Sequence, residues 1–121
     1  MPRTESECRF ESLGERLLEF AEARDWRQFH TPKNLATALA GEAGELVAHF
    51  QWLTGQASAN LCADKREAVA LEMADVQIYL IRLAQELDLD LLDAVDRKIA
   101  INDLRYPADK VRGSHRKYDE Y

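Results

Sequence analysis

The chain has 121 residues, 46% apolar and 31% charged, with a net charge of −6. That length suits one domain with its own core, and the balance of residues is that of a globular protein rather than a disordered one. The acidic total disfavours generic binding to nucleic acid polymers, and no apolar run approaches the ~20 residues that span a bilayer.

The N-terminal stretch MPRTESECRFESLGERL has no continuous apolar core and no small-residue cleavage site. A cytoplasmic protein is therefore expected. Cys8 and Cys62 belong to no CxxC pair. They read as reduced thiols rather than a disulfide scaffold, and a zinc site lacks the ligands it needs. Charge is unevenly placed. Residues 97–121 carry seven basic and four acidic side chains, a surplus of three positive charges, which leaves −9 on the first 96 residues. A small polyanion held between an acidic metal site and a basic tail is compatible with that division.

The elements read as helices in chain order. A first helix is predicted over about Ser12–Arg24, with Leu13, Leu17, Leu18 and Phe20 on its apolar stripe. The aromatic turn DWRQFH follows. Thr31 and Pro32 then supply a cap and a proline at the first helical position of a second helix, expected to reach about Leu53. TGQASANLCA reads as the longest loop. Asp64 and Glu67 resemble a capping box for a third helix over about Asp64–Leu87. Asp90 and Asp93 start a fourth helix, which ends near Tyr106 because Pro107 disfavours its continuation. The expectation is a single all-α domain over 1–121, with a four-helix core over about 12–107 and a polar tail over 108–121.

Two helices carry an oddity. LAGEAGELVAHFQW places Gly41 and Gly44 in a helical stretch, together with Glu42 and Glu45 at i,i+3. Each glycine costs ~1 kcal/mol against alanine, and like charges on one helix face repel. LEMADVQIYL repeats the acidic pattern with Glu72 and Asp75 inside an apolar run. Three residues at ~100° each leave such a pair about 60° apart on one face. A short connection favours antiparallel neighbours. If the two acidic faces meet, four carboxylates converge between axes ~8–10 Å apart. With no basic residue between them they need a cation, and all-oxygen ligands select Mg²⁺ or Mn²⁺. Small residues at 41 and 44 would let another helix or a ligand come close. The competing reading is solvated surface acids, which single i,i+3 pairs usually are. A di-iron bundle would need Glu-x-x-His motifs. Here His49 follows Glu45 by four residues, and Asp75 stands where a histidine would be. His49 is expected to pack rather than ligate.

ExxE followed by ExxD on two helices resembles the signature of the MazG-like all-α nucleoside triphosphate pyrophosphatases. RDWRQFHTPKNLATALAGEAGELVAHFQW, EMADVQIYLIRLA and KIAINDLRYP…SHRKY look like the dCTP pyrophosphatase branch, over about Leu17 to Tyr118. The resemblance implies hydrolysis of a (deoxy)nucleoside triphosphate to monophosphate and pyrophosphate, in nucleotide-pool house-cleaning. It implies that Glu42, Glu45, Glu72 and Asp75 are both the metal ligands and the catalytic acids. Metal would bridge the phosphates, and one of the four carboxylates would be the base for the attacking water.

Trp26, His30 and Trp52 match positions that hold the base in this branch. By spacing alone the tryptophans serve equally as core aromatics. Asn34, one turn into the second helix, is a further candidate. Tyr79, four residues after Asp75, matches a family tyrosine near the sugar, and its competing reading is a plain helix-face aromatic. Lys98, Asn102 and Tyr106 fall at i, i+4, i+8, a stripe suited to a triphosphate, and they match family positions. Arg112, Arg116 and Lys117 could close over phosphates, although charge runs of this kind are usually solvated. One departure stands out. Leu17 occupies a place where the branch often has histidine. An apolar side chain cannot hydrogen-bond a base edge, so other or modified pyrimidine triphosphates stay open as substrates. The family forms dimers and tetramers, which implies a homotetramer built as a dimer of dimers. The alternatives are a dUTP-preferring relative and a non-catalytic helical module that binds a nucleotide or a partner.

Overall fold

The computed structural model describes residues 1–117, 119 and 120, and its regular elements are all helical. The helices are α1 Glu5–Ala23, α2 Pro32–Ala48, α3 Gly55–Ser58, α4 Ala63–Glu86, α5 Leu91–Arg105 and α6 Ala108–Val111. Tyr118, the last residue of the family-like span, lies outside the described residues. The chain divides into two compact units, Met1–Asp88 and Leu89–Tyr121. No helix is long and apolar enough to cross a membrane among the described residues.

α1 starts well before the expected Ser12. Thr4 and Glu7 form a capping box, with Thr4 Oγ1 accepting from the Glu7 N–H and the Glu7 carboxylate accepting from the Thr4 N–H. That box closes two otherwise unsatisfied donors and carries the helix through a polar first turn without apolar periodicity. α1 ends in a Schellman arrangement. Trp26 N–H reaches Ala21 O at 2.9 Å and Asp25 N–H reaches Glu22 O at 3.0 Å, with Asp25 at φ 53°. Aspartate tolerates this left-handed conformation better than most residues. The usual apolar contact across such a cap is present, since the Trp26 ring meets Phe20 edge-on at 5.7 Å.

α2 begins as expected, with Thr31 Oγ1 accepting from Asn34 N–H at 3.2 Å and Pro32 at the first position. It stops at Ala48, five residues short of Leu53. Residues 49–53 wind through short turns such as Leu53 N–H to Phe50 O at 2.9 Å. Thr54 then caps α3, a single turn inside the expected loop. α4 starts at Ala63, one residue ahead of Asp64, and its N-cap Cys62 makes no side-chain cap bond. The capping box expected from Asp64 and Glu67 therefore does not form. Asp64 instead sits in the first turn, where the helix dipole favours an acid.

α2 packs along α4. The pair is antiparallel, because His30 just before α2 meets Arg82 late in α4, while Glu42 further along α2 meets Glu72 and Asp75 earlier in α4. α1 approaches α4 at Gly14. A Cβ there would lie 3.2 Å from Gln85 Nε2 and 4.0 Å from Ile81 Cγ2. Close approach is thus a property of Gly14. At Gly41 and Gly44, where small residues were expected to admit a neighbour, a Cβ would meet nothing within 4 Å. Among the described residues the buried apolar ones are Ala21, Leu35, Val69, Ile81 and Ala84, a smaller core than the chain length allows.

In the second unit, Asp90 caps α5 by accepting from Asp93 N–H at 3.0 Å. α5 ends before Tyr106 and Pro107 as expected. The polar tail forms the short α6 and then turns at Gly113, whose φ of 77° suits glycine. Tyr106, Ala108, Asp109, Val111 and Arg112 line a hollow in this unit.

Candidate functional site

Glu42 on α2 and Glu72 and Asp75 on α4 each offer a carboxylate oxygen, and these oxygens lie within 4.8 Å of one another. Glu42 and Glu72 are half-buried and Asp75 is exposed. Glu72 Oε1 is buried and has no hydrogen-bond donor. A buried carboxylate oxygen without a donor is costly, since it can only accept. A proton shared with Glu72, loss of water, and the charges of Glu72 and Asp75 together push the Glu42 carboxyl from 4.5 up to about 7. Oxygen-only donors, a shared charge excess and a donorless buried oxygen fit a hard divalent cation. Glu45 does not join the three. It is exposed on α2, one turn and ~4.5 Å of helix rise beyond Glu42.

A second group of side chains lies further along α4. On that helix Glu72, Asp75, Tyr79, Arg82 and Glu86 recur at i, i+3, i+7, i+10 and i+14, a single stripe. Arg82 is only 2% exposed. Its guanidinium donates to Glu86 Oε1 and to Gln85 Oε1 at 2.7 Å, and lies 3.4 Å from His30 Nδ1. Gln85 Nε2 donates to Gly14 O at 2.7 Å, which ties α1 to the same group. Arg27 reaches Glu86 at 3.1 Å and Glu22 at 3.2 Å. Hydrogen bonding from Arg27, backed by Arg82, holds the Glu86 carboxyl below its usual range. Burial, then the Arg82 charge, lowers His30, while Glu86 acts the other way. The His30 ring also meets Trp26 edge-on at 6.3 Å. No motif in the sequence marks Arg82, Gln85, Glu86 and Arg27. The signal available was the position of Arg82 at i+7 from Asp75 inside the apolar run YLIRLA.

The remaining candidates belong to both units. Trp26 is 43% exposed beside His30, and Trp52 is 88% exposed in the turn after α2. Asn34 is exposed, and its side-chain amide donates to Phe29 O at 2.9 Å, closing the aromatic turn. Tyr79 and Leu17 are half-buried. Lys98 and Asn102 lie exposed on α5 in the second unit, where Asn102 O accepts from the Tyr106 N–H at 2.8 Å.

Residues 38–121, which include all of α4 and most of α2, match the MazG-like family. The chain belongs to that family. Among MazG-like relatives it is similar to dCTP pyrophosphatase 1 of Homo sapiens, 50% identical over 104 residues, which are 84% of this chain and 61% of that protein. It is also similar to dCTP pyrophosphatase 1 of Bos taurus, 43% identical over 117 residues, 95% of this chain and 69% of that one. The chain thus spans about three fifths of the human relative's length. A crystal structure of a pyrophosphatase from Archaeoglobus fulgidus superposes with a TM-score of 0.79 at 33% identity, covering 88% of this chain and 97% of that one. The MazG-like helices α2 and α4 therefore carry the acidic cluster on a fold shared with that solved structure.

Proposed function

We propose that the chain is a Mg²⁺-dependent nucleoside triphosphate pyrophosphohydrolase that takes dCTP-like or modified pyrimidine nucleotides in the cytoplasmic pool. The observation that carries this reading is the convergence of Glu42, Glu72 and Asp75, with one oxygen of Glu72 buried and donorless. The similarity to dCTP pyrophosphatase 1 supports it. Mg²⁺, replaceable by Mn²⁺, would be held by these three acids and would neutralise charge on the phosphates. A carboxylate of the set takes a proton from water as its oxygen bonds to the α-phosphorus. The bond between the α-phosphorus and the bridging oxygen breaks, and pyrophosphate leaves.

Trp26, His30 and Trp52 hold the base in this reading, with Asn34 supporting the turn they sit on. Tyr79 lies against the sugar, between the acids and Arg82 on the α4 stripe. At ~1.5 Å per residue, seven residues from Asp75 to Arg82 advance ~10 Å along the helix. That is a span a nucleotide can follow from phosphate to base. Lys98, Asn102 and Tyr106 would bind the triphosphate, with Arg112, Arg116 and Lys117 closing over it. The chain would act as one domain with a four-helix core, assembled as a homotetramer, a dimer of dimers. Exposed Val47 at 59%, Leu71 at 60% and Leu104 at 83% are apolar surface that such an assembly would cover.

Turnover across canonical and 5-modified nucleoside triphosphates, scoring pyrophosphate and orthophosphate separately, tests the proposal. Mg²⁺-dependent pyrophosphate release supports it, and the ranking of bases reads out the effect of Leu17. A folded protein that binds Mg²⁺ but turns over no triphosphate would instead be a binding module.

A further inference from the structure

A guanidinium buried to 2% exposure is poorly explained by stability. Ion pairs of this kind gain little over apolar residues of similar volume, and Arg82 Nε is left without a partner. What the arrangement does achieve is control of one ring. Arginine only donates. A guanidinium nitrogen 3.4 Å from His30 Nδ1 is paired with it only if Nδ1 accepts, and that arrangement leaves the imidazole neutral with its proton on Nε2. Glu86 and Gln85 fix the guanidinium in that orientation, and Arg27 in turn fixes Glu86. The charged groups facing His30 are Arg82 and Glu86 of α4, and the Trp26 ring flanks it from the turn.

We infer that Arg82 is a positioning residue for base selection: by donating to His30 Nδ1 it locks His30 into the Nε2–H tautomer, so the site offers the base a donor and never an acceptor. A pyrimidine that presents an unprotonated ring nitrogen or a carbonyl oxygen at that point is accepted, and one that presents an N–H is refused. Unmet hydrogen bonds of this kind discriminate strongly, because the rejected partner leaves a polar group unpaired. The inference deepens the proposed function and rests on its placement of His30 at the base.

The test uses the full chain with ¹⁵N-labelled histidine. Long-range ¹H–¹⁵N spectra at pH 7.5 read the tautomer directly, and His30→Gln identifies the His30 signals among the three histidines. The expected result is a protonated Nε2 and an accepting Nδ1 in the wild-type chain, a mixture of tautomers in Arg82→Met, and recovery in Arg82→Lys. Binding of dCMP and dUMP, followed by tryptophan fluorescence and so independent of turnover, reads the selection. The ratio of the two Kd values should move toward unity by about fivefold or more in Arg82→Met. A wild-type His30 carrying its proton on Nδ1 overturns the inference even if Arg82→Met fails to fold. So does a folded Arg82→Met with the wild-type tautomer, or one with an altered tautomer and an unchanged Kd ratio. Failure of all triphosphate turnover would sink the hydrolase reading while leaving these tautomer and binding results to stand or fall by themselves.

Discussion

Glu42 and Glu72 hold their carboxylates together across the α2–α4 interface, and one oxygen of Glu72 is buried there without a donor. Two acids brought this close on an antiparallel helix pair repel unless a proton or a cation lies between them. Glu42 answers with the proton, which is why its carboxyl is pushed up to about 7.

The metal-free protein should therefore lose stability as pH rises from 4.5 to about 7. In that window the folded state keeps a proton on Glu42 that the unfolded chain has already released, so raising pH favours unfolding. Thermal melts in EDTA across this range should show the decline, and Glu42→Gln should flatten it. Mg²⁺ should bind more tightly as pH rises through 7, since it displaces that proton.

Glu72→Gln removes the ligand whose oxygen lacks a donor. Apparent Mg²⁺ affinity should fall by at least ~10–100-fold, the scale seen when groups supporting a bound metal are lost. The metal-free fold should melt no lower than the wild type, because a like charge has gone. A calorimetric Mg²⁺ titration with a parallel melt checks both.

Trp26→Ala and Trp52→Ala should raise KM and leave kcat nearly unchanged, since stacking on a base binds ground and transition states alike. Base stacking is worth ~1–3 kcal/mol by alanine substitution. Trp52 is 88% exposed, so its variant should melt close to the wild type, and steady-state kinetics with melting curves separates the two effects.

Glycines 14 and 41 should respond oppositely to substitution. Gly14→Leu drives a side chain into Gln85 and Ile81 where α1 meets α4, and overpacking of this kind costs ~1–3 kcal/mol. Gly41→Ala places its Cβ in open space and should gain up to ~1 kcal/mol of helix propensity. Denaturant unfolding of both variants measures the contrast.

The helical class was legible in the sequence because apolar residues recur at helical spacing and Thr31–Pro32 and Asp90 announce their helices. The acidic pairs were legible as pairs, since Glu42, Glu72 and Asp75 each interrupt an apolar stretch. Helix ends were harder to read. Thr4 and Glu7 cap a polar turn that shows no periodicity, and the segment holding Trp52 has helical composition but winds into short turns before Thr54. The approach at Gly14 was hidden because a lone glycine in a helix reads as a cost until a neighbour is known. Nothing in the sequence marks Arg82 as buried, and its burial follows from the packing that sets it against His30 across the helix pair. The i, i+4, i+8 spacing of Lys98, Asn102 and Tyr106 marks a polar stripe, to which the family resemblance adds a role at the triphosphate.

Glu42, Glu72 and Asp75 are proposed to form the cation site. Titration of the full chain with Mn²⁺, followed by loss of the free-ion electron paramagnetic resonance signal, measures that site. The expected result is at least one site per chain that Mg²⁺ competes for and that Glu72→Gln abolishes. A wild-type chain that leaves the free Mn²⁺ signal undiminished, or a folded Glu72→Gln variant that binds as the wild type does, would contradict it.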